Sequence, residues 1–367
     1  MEGLKYKYES LYHHLKNQIL NGTLKYGDKI PPENELASQF SLSRYTVRRA
    51  IELLTNEGLL EKRHGSGTFV KNTSTALNRS NVIGVITTYL DDYIFPSIIR
   101  GIETVLTQHG YSLSLGITEN KTEKETACLR SMLDQNIDGL IIEGTKSTLV
   151  NPNIALLETI KSRNIPIVFI NSNYPDFESS YVMMDDEGSG KMVADYLLDQ
   201  GHRKIGGIFK LDDIQGHRRF RGIEKALYER HVPICEDSFI WYTTENMESI
   251  FRPEYDRLFL QRFKDISALI CYNDQIAVKA MQTFERNGIS VPSDISVVGF
   301  DNSDLCELSH VKLTSVTHAR KDMGESAART LLELMSKKKD DKSQIKIYLK
   351  SELIVRDSVK KYEPRIP

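Results

Sequence analysis

From Val82 onward the chain alternates short apolar runs with amphipathic stretches, and no other feature constrains its fold as tightly. The runs occupy residues 82–88, 112–117, 139–143, 165–170, 204–209, 267–271 and 295–300. Between them lie segments 98–108, 122–135, 192–200, 222–230 and 275–286, whose apolar residues recur at helical spacing. Strands alternating with helices of this length predict an α/β architecture built on parallel, doubly wound sheets. Seven or more such units are too many for one sheet, so two lobes are expected. Ligands of such sheets bind outside the carboxyl ends of the strands. Facing lobes would therefore present two sets of strand-end loops to one cleft.

The first 71 residues follow a different pattern. Leu11, Leu15 and Ile19 recur every four residues and give a first helix its apolar stripe. Gly22 and Gly27-Asp28 end it and turn the chain. Pro31-Pro32 opens a short helix over 33–40, with proline where its missing N–H costs nothing. After a tight turn at Ser41-Leu42, Ser43 is placed to cap a third helix, which runs to about Glu57 and stops at Gly58. Residues 59–63 and 68–71 flank His64-Gly65-Ser66-Gly67, predicting a strand, a glycine-rich turn and a strand. Residues 72–81, rich in Asn, Ser and Thr, read as a linker. The expected division is thus 1–71, a linker at 72–81, and 82–367.

At 40% hydrophobic and 27% charged, the composition excludes disordered and fibrous classes. No apolar run approaches the roughly 20 residues of a membrane span, and the start has no apolar core like that of a signal peptide. Four well-separated cysteines, Cys128, Cys235, Cys271 and Cys306, suggest neither zinc nor a disulfide framework. A cytoplasmic setting is expected. The net charge of −2 conceals an asymmetry: residues 1–80 carry twelve Lys and Arg against eight Asp and Glu, a net of +4, which leaves −6 beyond. Counterion release from DNA needs only a local basic face.

In the third helix Val47, Ile51 and Leu54 mark a core face, while Arg44 and Arg48 share another, with Tyr45 beside them. Such a helix can enter a DNA major groove, where arginine bound to guanine is the commonest specific contact. Ser43 and Thr46 supply hydroxyls for phosphate. Gly65 and Gly67 would let the hairpin backbone approach a narrow groove, and Arg63 and His64 add donors. Three motifs, Pro31 to Ala37, Leu42 to Ala50 and Glu57 to Val70, together resemble the winged helix–turn–helix domain of the gluconate-repressor family. That resemblance places the residues matching Asn34, Ser43, Arg44, Tyr45, Arg48, His64 and Gly65 at the DNA.

From Val82 to about Val359 the chain resembles the two-lobed, periplasmic-binding-protein-like effector domain of the lactose- and galactose-repressor family. The resemblance rests on Ile83-Gly84-Val85, residues 95–103, Asp138 to Ile141, Gly201 to Ile205, Arg219 to Gly222, Cys271 to Asp274, Val291 to Asp301 and Leu353 to Arg356. It implies that Arg219 and Asp274 contact a small sugar effector, with Asp92 and Tyr93 reaching it from the first lobe. Glu143 closes an apolar strand and is either a ligand acceptor or a helix-capping group. Asn171 and Asn173, after Phe169-Ile170, are further candidates. Asp185-Asp186-Glu187 fits a helix N-terminus better than a metal site, and Trp241 fits a core better than a cleft wall. Neither a zinc-binding histidine pattern nor a nucleophile elbow or phosphate loop is present, so no metal, cofactor or catalytic residue is expected.

The pairing of these two parts is similar to the arabinose-repressor family of Gram-positive bacteria. It implies a homodimeric repressor that binds palindromic double-stranded operator DNA and is released by a small sugar, L-arabinose. The alternatives are a repressor of the same build answering another sugar or a nucleoside, and a carbohydrate-processing enzyme with a DNA-binding head. Residues 72–81 lack the pattern of the hinge helix common in the lactose family.

Overall fold

A computed structural model describes residues 2–20, 23–63, 66–71, 80–90, 94–337, 341 and 343–363. Gly22, His64, Gly65, Asp92, Tyr93 and residues 72–79 of the expected linker lie outside the described residues. The chain divides into two compact units, Met1–Arg79 and Ser80–Pro367.

The first unit comprises α1 (Glu2–Leu20), α2 (Glu33–Gln39), α3 (Arg44–Asn56), β1 (Leu60–Arg63) and β2 (Gly67–Val70). Leu11, Leu15 and Ile19 are buried and meet Leu36, Val47, Ile51 and Leu54 in one core, as their spacing requires. Ser43 caps α3 by accepting the Thr46 amide at 3.1 Å. Gly58, at φ +74°, ends that helix's run. β1 and β2 pair antiparallel from Leu60↔Val70 to Arg63↔Gly67. The segment read as a plain turn does more than that: Lys29 bridges to Phe69, and Gly27 and Ile30 donate to Val70 and Thr68 at 3.0 Å. It forms a third edge of the wing.

The second unit begins with β3 (Val82–Thr87), α4 (Phe95–Gln108), β4 (Ser112–Ile117), α5 (Thr122–Asp134), β5 (Gly139–Glu143), α6 (Ile154–Ser162), β6 (Ile167–Ile170) and β7 (Ser180–Met184). The chain then crosses to a second lobe through α7 (Asp186–Asp199), β8 (Ile205–Lys210), α8 (Ile214–Glu229), β9 (Phe239–Tyr242), α9 (Met247–Ile250) and α10 (Asp256–Phe263). It continues with β10 (Ala268–Cys271), α11 (Asp274–Arg286), β11 (Ser296–Asp301), α12 (Leu305–Leu308) and β12 (Thr314–Thr317). α13 (Arg320–Ser336) and β13 (Lys346–Leu349) return to the first lobe, and β14 (Leu353–Ile354) ends in the second.

Each lobe therefore holds a six-stranded sheet, ordered β13-β7-β6-β5-β3-β4 and β14-β12-β11-β10-β8-β9. All pairings in these sheets are parallel except β12 with β14. Ser80 and Asn81, expected in the linker, already belong to this unit: their amides donate to the Asp138 carboxylate at 3.1 and 2.9 Å. No helix among the described residues is long and apolar enough to cross a membrane.

Candidate DNA-reading surface and ligand cavity

On α3 the capping and core residues leave one face outward. Val47, Ala50, Ile51 and Leu54 are buried, whereas Arg44, Tyr45, Arg48 and Arg49 are exposed, Tyr45 at 75%. Arg44 makes no ion pair among the described residues. Arg48 donates through Nε and Nη2 to Glu33 of α2, at 3.3 and 3.1 Å, and Asn34 stands exposed beside that glutamate in sequence. Arg49, absent from the expected set, shares the exposed surface. Its signal was present in the run Arg48-Arg49, but both could have been a solvated face.

The two hydroxyls expected at phosphate differ in role. Ser43 is exposed, while Thr46 is 5% exposed and its hydroxyl pairs with that of Ser43 at 2.7 Å. Thr46 therefore builds the cap, and its exposed partner is left nearer solvent. In the wing, Arg63 lies 4.7 Å over the Phe69 ring and pairs with Glu61 at 2.6 Å. Gly67 has φ +118°, and a Cβ there would fall 2.5 Å from Lys29 Cε. That backbone conformation favours glycine, while the lysine tip is free to move aside.

In the second unit the strand ends converge on a cavity of about 680 Å³ between the lobes, within the roughly 300–1,000 Å³ range of ligand sites. The first lobe contributes Thr88, Tyr89, Ile94, Phe95 and Glu143, and the second Lys210, Asp213, Arg219, Tyr272 and Asp301. Glu143 ends β5. Its Oε2 accepts the Thr88 amide and hydroxyl at 2.9 and 2.5 Å, and its Oε1 accepts Asn171 Nδ2 at 2.9 Å. Burial pushes its carboxyl up to about 7, against those donors and with the Asp213 charge adding to the rise. Its carboxylate thus lines the cavity and accepts from Thr88 and Asn171 rather than from a helix N-terminus.

Lys210 ends β8, and its side chain reaches into the cavity lining. Its ammonium lies 5.8 Å over the Tyr89 ring. Burial works to lower its pKa, but Asp213, Tyr89, Asp212 and Glu143 outweigh it and hold the group charged. Asp213 caps α8 by accepting the Gln215 amide at 3.0 Å and also accepts the Tyr272 hydroxyl at 2.7 Å. Sequence reasoning missed both Lys210 and Asp213, although a charged run directly after an apolar strand, Lys210 to Asp213, was the available signal.

Arg219 owes its position to helix packing. A Cβ on Gly222 of α8 would fall 2.0 Å from Glu187 O, and one on Gly190 of α7 would fall 2.0 Å from Arg219 O. These helices approach closely only because both residues lack side chains. That approach brings Arg219 Nε to Asp186 at 2.8 Å, while Nη1 donates to Tyr272 O at 2.5 Å and the guanidinium lies 4.6 Å over Phe300. Burial pushes Asp186 up to about 6 and the guanidinium opposes it, so the pair is ionic at neutral pH.

Asp274 departs from expectation. It is fully buried, does not line the cavity, and accepts from Ser303 N, Ser303 Oγ, Cys306 Sγ and Ser315 Oγ at 2.7, 2.9, 3.2 and 2.5 Å. Its carboxylate ties α11 to the loop after β11; the neighbouring Asn273 and Gln275 line the cavity instead. Asn171 is also fully buried and stands behind Glu143. Asn173 accepts from Arg218 at 3.0 Å. Asp185 caps α7 as expected of that acidic trio, and Trp241 packs on Phe209, Phe220 and His217 away from the cavity lining. Among the described residues no group of His, Cys, Asp and Glu could hold a metal.

One rim of the cleft is closed by contacts between lobes. Asn120 donates to Asp212 and Thr244 at 3.2 and 2.6 Å, Thr148 to Leu211 O at 2.7 Å, and the Ile214 amide to Ser147 at 2.9 Å. Lys146 pairs with Glu245 across the same seam.

Residues 7–70 match the bacterial regulatory proteins of the gntR family, and residues 194–359 match a periplasmic binding protein-like domain. The arabinose metabolism transcriptional repressor of Geobacillus stearothermophilus is 41% identical over 358 residues, covering 96% of this chain and 98% of that protein. Its namesake in Halalkalibacterium halodurans is 39% identical, covering 96% of each. The crystal structure of transcription regulator CcpA of Lactococcus lactis superposes with a TM-score of 0.66 at 25% identity, covering 76% of this chain and 99% of that one. A winged helix–turn–helix unit joined to a two-lobed periplasmic-binding-type body defines a class of transcription regulators, not enzymes. Within that class, the chain belongs to the family of arabinose metabolism transcriptional repressors.

Proposed function

We propose that the protein represses arabinose-utilisation genes in the cytoplasm and is released from DNA by L-arabinose. The observation that carries the sugar reading is the chemistry of the cavity lining. Lys124, Lys210 and Arg219 are set against Glu119, Glu143, Asp213 and Asp301, so the charges nearly cancel, and Tyr89, Phe95 and Tyr272 add aromatic surface. Paired donors and acceptors suit adjacent hydroxyls, and the aromatic faces suit ring C–H patches. A phosphorylated ligand would meet one carboxylate too many.

In this reading Glu143 and Asp213 accept sugar hydroxyls while Lys210 and Arg219 donate to the sugar. Asp92 and Tyr93 fall between the lining residues Leu90 and Ile94 in sequence, which supports giving them a part in effector binding. Sugar bridging the lobes adds to the rim contacts of Asn120, Ser147 and Thr148 and favours the closed body. Two copies form a homodimer whose heads bind half-sites of a palindromic operator. Arg44, Tyr45 and Arg48 read the major groove; Asn34 and Ser43 hold the backbone, and the wing from Arg63 through His64 and Gly65 to Gly67 lies along the minor groove. Closure changes how the bodies pair and weakens operator binding.

A thermal-shift screen of pentoses, hexoses and nucleosides tests the effector. L-Arabinose is expected to raise the melting temperature most. Stabilisation by a hexose or a nucleoside with none by L-arabinose would replace the proposed effector.

A further inference from the structure

Behind Glu143 a buried hydrogen-bonded chain leads out of the cavity. Asn171 follows β6, has no exposed surface, and donates Nδ2 to Glu143 Oε1 at 2.9 Å. Its Oδ1 lies 3.1 Å from His318 Nε2. With its amide nitrogen donating to Glu143, Asn171 turns its oxygen to the imidazole. The ring is then the donor, which fixes the Nε2–H tautomer. Burial pushes the His318 pKa down to about 4, so the ring is neutral, and Nδ1 finds no hydrogen-bond partner among the described residues. A buried ring nitrogen left without a partner costs free energy.

His318 lies between Thr317, the last residue of β12, and Arg320, the first of α13. That is where the chain passes from the sheet of the second lobe to a helix packed on the first. Arg320, in the same crossover, donates to the carbonyls of Asp301 and Asn302 at the end of β11. The crossover thus touches strand ends of both lobes.

We propose that Glu143–Asn171–His318 is a positioning relay, through which an interlobe crossover sets the orientation of the ligand-facing carboxylate. The proposal rests on the reading of the cavity as a sugar site. His318 and Asn171 do not touch the ligand. They hold Glu143 in the rotamer that a sugar hydroxyl meets, and a change in the crossover is felt at the cavity without passing through the sugar.

The test compares two polar replacements in the full-length protein, with L-arabinose binding followed by calorimetry. Glutamine places its amide nitrogen near the position of Nε2, whereas the shorter asparagine does not reach it. His318→Gln is expected to bind L-arabinose within about twofold of wild type, and His318→Asn roughly tenfold more weakly. Asn171 has φ +56°, so Asn171→Gly removes the amide without straining the backbone. In that background His318→Asn is expected to add no further loss. Melting temperatures without sugar should match for the Gln and Asn variants, separating positioning from folding. His318→Asn binding as tightly as wild type, or an equal loss in both backgrounds, overturns the relay alone. A wild-type protein that binds no L-arabinose overturns the sugar reading first and the relay with it.

Discussion

Glu143 is held by three donors in a site where burial favours its neutral form, and those opposing influences leave it titrating at about 7. Because this lies above the ordinary value of 4.5, its contribution to stability is complete below 4.5 and lost as pH rises through about 7. A sugar hydroxyl donating to it favours the ionised form. Binding at pH 6 should therefore release protons, measurable as an enthalpy that differs between buffers of different ionisation heat. Glu143→Gln should abolish the difference, and a buffer-independent enthalpy in the wild type would contradict the assignment. At the DNA end, Arg44→Ala should cost about 1–3 kcal/mol of operator affinity in a mobility-shift titration. Sugar affinity should not change. The exposure of Arg44 and Tyr45 was legible from chain position alone. The burial of Asp274 was not, because a carboxylate opening a helix after a strand can turn either to the cleft or to the loop behind it. Four donors from Ser303, Cys306 and Ser315, all distant in sequence, settle that choice.

Among the elements, the α7–α8 crossing matters most to the site, since it delivers Asp186 to Arg219. Gly222→Ala would place a methyl group 2.0 Å from Glu187 O, and backbone can yield only by separating the helices. Overpacking of this kind costs about 1–3 kcal/mol, and the melting temperature should fall by roughly 2–4 °C for each kcal/mol. Sugar affinity should fall with it as Arg219 loses its partner; an unchanged melting temperature would refute the packing argument. The seven strands read from apolar runs are all present; in β5 and β6 continuous burial writes itself as a continuous apolar run, whereas β4 at the sheet edge shows in its alternation of Ser and Leu. β7, β9, β12, β13 and β14 were not read. Thr314–Thr317 is hydroxyl-bearing at three of its four positions, so its burial between neighbours leaves little trace in composition. α13 escaped for a related reason: its core positions include Gly324, Ala327 and Ala328, small residues chosen by close packing on α4 rather than by hydrophobicity.

For the whole molecule, the formal charge of −2 is a near-cancellation of a basic head and an acidic body. The head's excess suits phosphate, and the body's suits a neutral ligand and discourages contact with DNA. Fold class and domain order were legible because they follow from periodicity and from linked motifs, each local in sequence. The cavity was legible only in outline, since its lining comes from strand ends far apart along the chain. What joins the two functions is a coupling free energy, typically about 1–3 kcal/mol, or 5–150-fold in affinity, and it must act in both directions. If L-arabinose releases the repressor, operator DNA must weaken L-arabinose binding by the same factor. Calorimetric titration of L-arabinose into the free protein and into its operator complex measures this directly. Binding to the complex is expected to be weaker, by the factor through which saturating sugar lowers operator affinity. Equal affinity for the two would contradict it.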